Sequence, residues 1–219
     1  MIGKSIGFNS LVLGVFALGT AGIVALTHEA TIDKIAEAKQ RAAQAALAEI
    51  VPADQHDNDL FSDTVPVQED FREFLGLTAA IDADKRVHIA RQHHQPVVAI
   101  IPTVAVDGYS GAIKMIIGVK QDGTIAGIRV TDHSETPGLG DYIDVKKSNW
   151  ILSFNGKDIS SDFNRNQQLN RATGETFDQL TGATITRKAV IRQVKKTLSY
   201  YQIAEPLEIA RTINEETSP

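Results

Sequence analysis

The chain has 219 residues and a formal net charge of −5, because 27 Asp and Glu residues outnumber 22 Lys and Arg residues. The sequence has no basic cluster of the kind that a nucleic-acid surface needs, so we exclude nucleic acid as a partner. Cysteine is absent, which excludes a disulfide framework, a thiolate nucleophile and a Cys-ligated iron–sulfur cluster.

The chain begins with an apolar stretch. Residues 5–28 include no charged side chain, and residues 6–27 are mostly Leu, Val, Ile, Ala, Phe and Gly. A helix needs about 20 apolar residues to cross a bilayer, so this stretch is long enough. A cleaved signal peptide is the alternative, with Lys4 as its charged start and small residues at 21–25 as its cleavage site. The apolar core of a signal peptide has only about 7 to 15 residues, and the length therefore favours a retained membrane anchor.

A second helical pattern follows the apolar stretch. Residues 31–50 are rich in Ala, Glu37 precedes Arg41 by four positions, and Pro52 ends the pattern. We predict a helix that extends the membrane helix as a stalk, and a linker helix without a partner is an open alternative. Residues 54–63 are polar and acidic and indicate a connector. The predicted organisation is an anchor (1–28), a helical stalk with its connector (29–62) and one folded domain (63–219).

Four strands are predicted in the first half of that domain. Apolar residues alternate along four segments that form two pairs, and Asp122 and Gly123 are typical turn residues within the second pair. His93 and His94 separate the first pair, and two histidines without a third ligand indicate a solvated turn rather than a metal site. We therefore predict no metal ligands. The four segments are 86–92, 96–106, 113–119 and 125–130.

A loop motif comes next. Residues 133–141 read H-S-E-T-P-G-L-G-D, and Pro137 and Gly138 followed by Gly140 predict a tight loop. From this pattern alone, an ordinary turn between a strand and a helix is equally consistent.

The last motif precedes a helical pattern. Residues 178–186 read D-Q-L-T-G-A-T-I-T, and the small residues there let a backbone approach a bulky ligand closely. Apolar residues then recur at helical spacing, which predicts a helix over about residues 187–203. The free N–H groups at a helix start favour a phosphate, but local chemistry alone favours a simple helix cap at Thr184 or Thr186. Residues 205–219 are expected to tail off after Pro206 and show no visible chemistry.

Together these motifs resemble a known family, the FMN-binding domain shared by the G subunit of the Rnf electron-transport complex and the C subunit of the sodium-pumping NADH:quinone reductase. Residues 178–184 are similar to its flavinylation signature, D-x-x-[ST]-G-A-T. In that family the last Thr of the signature carries FMN through a phosphoester that a flavin transferase makes. The resemblance implies that Thr184 carries covalent FMN. The other cofactor-binding residues implied by the signature are Asp178, Thr181, Gly182 and Ala183.

The loop motif extends this resemblance. Residues 133–140 are similar to the family's H-x-E-T-P-G-L-G run, which lies against the flavin ring. Residues 108–111 and 149–157 resemble its G-Y-x-G and W-I-x-x-F-x-G-K elements. Two separate motifs in the family's order indicate an FMN domain more strongly than either motif alone. The resemblance implies flavin contacts from Glu135, Thr136, Gly138 and Leu139.

The resemblance implies a fold and a function. The expected fold is α+β, with one N-terminal transmembrane helix followed by a single FMN-binding domain (63–219) that has an antiparallel sheet and packed helices. The expected function is electron transfer by covalent FMN in an Rnf-type ferredoxin:NAD oxidoreductase that couples electron flow to ion translocation. Such a redox subunit is not catalytic alone, and no catalytic residue is assigned. Two alternatives stay open: the C subunit of the quinone reductase, which is usually longer, and a non-redox, membrane-tethered assembly module.

The resemblance also implies partners and a location. The expected partners are the other subunits of the Rnf complex (A, B, C, D and E), a flavin transferase for maturation, and the membrane itself. The expected location is the bacterial inner membrane, with a single span and a periplasmic soluble domain. The positive-inside rule mildly favours the opposite orientation, because only Lys4 and the α-amino group precede the span, whereas three basic residues follow it closely.

Overall fold

The computed structural model describes residues 2–79, 81, 85–163 and 181–217. Within these ranges, only the backbone is described for residues 2–5, 181–183 and 214–217. The chain divides into two compact units, residues 1–43 and 44–219. Helix α1, Ile2–Ile50, provides the described part of the first unit and contributes its last turns to the second.

The first unit is a helix with an apolar surface. Large apolar side chains are exposed along residues 6–26, and Leu18 is 76% exposed. By length and composition α1 is suited to cross a membrane, and no other helix in the described part of the chain is. The hydroxyl groups of Thr20 and Thr27 donate to backbone carbonyls of the preceding turn at 3.0 Å and 2.8 Å, so they are satisfied without water. The predicted N-terminal helix is confirmed, and its surface suits a lipid environment.

The second unit is built on an antiparallel sheet. Five strands lie side by side in chain order, each hydrogen-bonded to the next. The four predicted strands are confirmed. The sequence pattern does not predict the first strand, because it has only three residues and borders the acidic connector. The strands are β1 Thr64–Pro66, β2 Arg86–Gln92, β3 Gln95–Ala105, β4 Ile113–Lys120 and β5 Ile125–Asp132.

A two-residue turn joins β2 to β3. Gln92 pairs with Gln95, which leaves His93 and His94 as the turn. Both histidines have positive φ angles, 52° and 64°, as a type I′ turn requires. The His93 backbone N–H donates to Asp57 Oδ2 at 2.6 Å and fixes the turn to the preceding segment. The histidine pair therefore forms the turn that the sequence predicts.

Two helices cover one face of the sheet. They are α3, Thr181–Ala204, and α4, Pro206–Thr217. The sequence predicts α3 only from Arg187, and the prediction starts too late because Thr and Gly are poor helix formers and give little helical signal. The buried residues of this core include Ile89, Ile101, Ile117, Val190, Val194 and Leu198.

The end of α1 and the segment after it cover the opposite face. An added Cβ at Gly118 of β4 would lie 2.4 Å from Ile50 Cγ2, so only glycine allows this close approach. Arg129 Nε donates to Glu49 Oε2 at 2.7 Å beside it. Residues 44–62, which the sequence assigns to the stalk and connector, thus contribute to this face. The buried residues of the second core are Leu47, Ile50, Val51, Leu60, Ala90, Val98 and Ile100.

The expectation that residues 205–219 tail off is wrong, because α4 follows α3 directly. Glu205 has a φ angle of 45° and ends α3, and Pro206 then begins α4 at a position where its fixed φ suits a helix start. Leu207 and Ala210 are buried in the core. Arg91 Nη2 donates to the Ala210 carbonyl at 3.0 Å, which ties α4 to β2.

Short elements complete the second unit. Helix α2, Glu69–Arg72, follows β1, and two 3₁₀ helices span Asp141–Ile143 and Trp150–Phe154. The Trp150 and Phe154 rings meet edge to face with centroids 5.1 Å apart, and both side chains are buried. The predicted α+β class, with an antiparallel sheet and packed helices, is confirmed.

Candidate functional site

The carboxylate of Glu135 joins three segments of the second unit. Its side chain is buried, at 5% exposure. Oε2 accepts a hydrogen bond from Thr186 Oγ1 at 2.6 Å, and Oε1 accepts one from the Ser110 backbone N–H at 3.0 Å. The loop 108–111, the loop 133–141 and the first turns of α3 therefore meet at one buried acidic group.

Two glycines make room for this carboxylate. An added Cβ at Gly108 would lie 2.8 Å from Glu135 Oε1, and one at Gly140 would lie 2.6 Å from Glu135 Oε2. Both distances are far below an ordinary van der Waals contact, so any larger residue displaces the carboxylate. Close packing against Glu135 thus explains why glycine occupies position 108 in the G-Y-S-G motif and position 140 in the P-G-L-G motif.

The loop 133–141 is fixed by its own hydrogen bonds. The backbone N–H groups of Leu139 and Gly140 donate to the Thr136 carbonyl at 3.1 Å and 3.0 Å. The Gly138 N–H donates to Asp141 Oδ1 at 2.8 Å, and Gly138 has a φ angle of 77° that favours glycine. The predicted tight loop is confirmed. Its side chains at Thr136 and Leu139 remain exposed.

Thr184 and Thr186 lie on different sides of α3. Thr184 is exposed, whereas Thr186 is 1% exposed and bonded to Glu135. Residues two positions apart in an α-helix are separated by about 200° around its axis, so one faces the core when the other faces away. Because α3 begins at Thr181, both threonines lie inside the helix and neither is its N-cap. The local alternative of a simple helix cap at these residues is therefore wrong.

The start of α3 has the electrostatic character of an anion site. The first four N–H groups of a helix have no partner within it, and the helix dipole adds positive potential there. Lys188 is exposed in the next turn. These groups suit a phosphate near Thr184.

Apolar side chains lie on the same three segments. Tyr109 is 58% exposed on the first loop, Leu139 is 39% exposed on the second, and Ile185 is 39% exposed on α3. Exposed apolar residues close to a rigid polar framework are suited to a flat aromatic ligand. An anion-favouring helix start and exposed apolar side chains on the same segments suit a ligand that has both an anionic and an apolar part.

The sequence-predicted residues fall into three groups. Asp178 lies outside the described residues, and Thr181, Gly182 and Ala183 lie in the first turn of α3, where only the backbone is described. Thr184, Thr136, Gly138 and Leu139 are exposed. Glu135 is buried, and each carboxylate oxygen accepts a hydrogen bond from the protein itself.

Sequence reasoning does not identify Ser110, Gly108, Gly140 or Thr186 as partners of Glu135. The G-Y-S-G and P-G-L-G patterns were the available signals, because each places glycine where a backbone or side chain approaches closely. Nothing in the sequence indicates which carboxylate these segments surround.

Two family models match the chain. One is described as an FMN-binding domain and matches residues 108–199, and the other is described as an RnfG N-terminal region and matches residues 1–50. The first range includes all three segments around Glu135. With the apolar helix α1, these matches define a membrane-anchored protein with an FMN-binding domain, and the expected FMN domain is confirmed.

Proteins with similar sequences identify the family to which this chain belongs. The chain is 44% identical over 206 residues to the G subunit of the ion-translocating oxidoreductase complex of Vibrio atlanticus, covering 94% of this chain and 95% of that protein. It is 42% identical over 192 residues to the G subunit of Vibrio cholerae, covering 88% of each, and 37% identical over 211 residues to the G subunit of Shewanella loihica, covering 96% of each. The chain belongs to the family of G subunits of ion-translocating oxidoreductase complexes. The resemblance inferred from the motifs is thereby confirmed.

Proposed function

We propose that this protein is the membrane-anchored electron-transfer subunit of an Rnf-type ferredoxin:NAD oxidoreductase, and that it carries FMN covalently on Thr184. Membership of the G-subunit family over nearly the whole chain supports the first statement. The observation that carries the second is the exposed Thr184 in the first turn of α3, on a helix that the buried Glu135 connects to the loop 133–141.

Accessibility distinguishes Thr184 from its neighbour. A transferase must reach the hydroxyl that it modifies, and the Thr186 hydroxyl is buried and already donates to Glu135. The Thr184 side chain is exposed near the start of the helix, whose first N–H groups have no partner within the helix and favour the negative charge of the new phosphodiester. These features support Thr184 as the modified residue.

The attachment chemistry requires an activated flavin. A phosphate monoester does not condense with an alcohol spontaneously in water, so the donor must be a phosphoanhydride of FMN, such as FAD. Thr184 Oγ1 forms the new bond to the flavin phosphorus, the pyrophosphate bond breaks, AMP leaves, and the hydroxyl proton is released. The step involves no oxidation or reduction.

The remaining contacts with FMN are proposed from the positions of the motif residues. The backbones of Thr181, Gly182 and Ala183 would surround the phosphate, and Thr136, Gly138 and Leu139 would contact the ring. Asp178 is assigned to the site from the signature alone. From its buried position, Glu135 would hold these segments together through its hydrogen bonds to Ser110 and Thr186. Bound FMN supplies transfer of one or two electrons, and the protein's residues hold and orient it. The rigid loop 133–141, fixed by internal hydrogen bonds, suits that role.

The proposal extends to partners and location. We propose the inner membrane with a periplasmic soluble domain, assembly into a complex with the A, B, C, D and E subunits, and maturation by a flavin transferase. The division proposed with it is an anchor (1–28), a stalk and connector (29–62), whose residues 44–62 pack on the sheet, and an FMN-binding domain (63–219). A topology reporter fused after Pro219 tests the orientation. Reporter activity on the cytoplasmic side alone would contradict a periplasmic domain.

The functional test compares turnover with assembly. Thr184→Ala removes the hydroxyl, so the purified complex should contain all its subunits yet reduce NAD with ferredoxin at a small fraction of the wild-type rate. Thr184→Ser keeps a hydroxyl and is the matched control, which should retain flavin and turnover. Normal turnover in a flavin-free Thr184→Ala complex would overturn the electron-transfer role and leave an assembly role.

A further inference from the structure

Thr186 makes a hydrogen bond to a residue outside its own helix. Its hydroxyl donates out of the helix to the carboxylate of Glu135 at 2.6 Å, while Thr197 of the same helix donates to its own backbone, the Gln193 carbonyl, at 3.0 Å. Both threonines are buried. Thr186 therefore ties the beginning of α3 to another segment, whereas Thr197 does not.

This tie restrains the first turns of α3, ahead of the core contacts that Val190, Val194 and Leu198 give the rest of the helix. Thr186 faces the core and Thr184 lies about 200° away on the helix surface. If the first turns of α3 rotate or fray, the direction of the Thr184 hydroxyl changes with them. The buried pair therefore restrains the direction in which Thr184 presents its oxygen.

Glu135 is itself held firmly. The Ser110 N–H donates to Oε1, Gly108 and Gly140 leave no free space beside the carboxylate, and the Glu135 N–H donates to His133 Nδ1 at 3.1 Å. A side chain restrained on several sides loses little further entropy when it accepts one more hydrogen bond. Glu135 is thus a rigid reference point for α3.

We propose that Glu135 and Thr186 are positioning residues for flavin attachment: their hydrogen bond holds the first turns of α3 so that Thr184 meets the transferase. Glu135 then acts through Thr186 rather than as a direct ligand of the flavin ring. This inference rests on the proposed attachment at Thr184.

The test measures the rate of attachment to the full-length chain in detergent. The chain is purified flavin-free from cells lacking the transferase, then mixed with transferase and FAD, and the fluorescent band is followed after denaturation. Thr186→Val keeps the shape but removes the donor, and attachment should slow by about tenfold or more. Thr186→Ser restores the donor and should restore the rate. Thr197→Val is the matched control on the same helix and should react at the wild-type rate.

The outcomes separate this inference from the proposed function. A Thr186→Val chain that reacts as fast as wild type overturns the positioning role, and so does a Thr197→Val chain that slows equally. Wild type that takes up no flavin contradicts the attachment site itself. If Thr186→Val does not fold, as judged by Trp150 fluorescence, Glu135→Asp replaces it. That variant keeps the charge but is one methylene too short to reach both Ser110 and Thr186, so it should also slow attachment, and an unchanged rate overturns the inference.

Discussion

Thr184 and Thr186 are two residues apart, yet their side chains have opposite environments. One is exposed, and the other is buried against a carboxylate. The signature in the sequence identifies the modified residue only by analogy. Which of the two threonines is exposed depends on where α3 begins and on the contact with Glu135. No local sequence pattern shows that α3 begins at Thr181. None shows that Glu135, which is distant in the sequence, is the partner of Thr186. The candidate residues are thus predictable, whereas the contacts that orient them are not.

At the same scale, Gly118 provides a test of the packing between α1 and the sheet. Gly118→Ala should lower the free energy of unfolding by about 1–3 kcal/mol, because its Cβ would lie 2.4 Å from Ile50 Cγ2 and overpack the second core. Gly127→Ala is the matched control, since its Cβ would meet Ile50 at an ordinary 3.6 Å. Chemical denaturation of the two variants measures the difference. Equal stabilities would show that Ile50 does not pack on this strand.

The elements differ in how far local sequence determines them. Strands β2 to β5 follow from apolar alternation and turn residues, and the His93–His94 turn follows from the gap between two such runs. The alternation is imperfect in β3, because both of its faces are covered and its apolar residues form a nearly continuous run. The strand β1 is missed because it has only three residues, and the helix α4 is missed because Pro206 reads as the end of a helical pattern although it begins a new helix.

An element-scale prediction concerns the start of the folded unit. A variant that begins at Gln44 keeps the residues of the second core and should be soluble and folded without detergent. A variant that begins at Asp63 loses Leu47, Ile50, Val51 and Leu60. Each such side chain contributes about 1.5–3 kcal/mol when buried, and the sum is comparable with a typical total stability of about 5–15 kcal/mol. The shorter variant should therefore aggregate or lack a cooperative thermal transition.

Circular dichroism and size-exclusion chromatography of both truncations check this expectation. A folded, monomeric Asp63 variant would contradict the role assigned to residues 44–62, and an unfolded Gln44 variant would show that α1 has a larger role in the fold.

At the scale of the whole molecule, the chain combines an anchor with a cofactor domain and has no cysteine with which to bind a cluster. Iron–sulfur centres pass single electrons, and a flavin can exchange one or two, so the protein would relay electrons between partners that bring their own centres. The fold supplies rigidity for that role through the loop 133–141 and its buried carboxylate. The central claim is the covalent flavin that this framework would hold.

The most direct measurement is the mass of the intact, denatured chain, purified from cells that contain the transferase, followed by sequencing of its modified peptide. The account predicts a mass increased by one FMN less one water, with the adduct on Thr184 and no increase in Thr184→Ala. An unmodified mass in the presence of active transferase, or an adduct on Thr181 or Thr186, would contradict it.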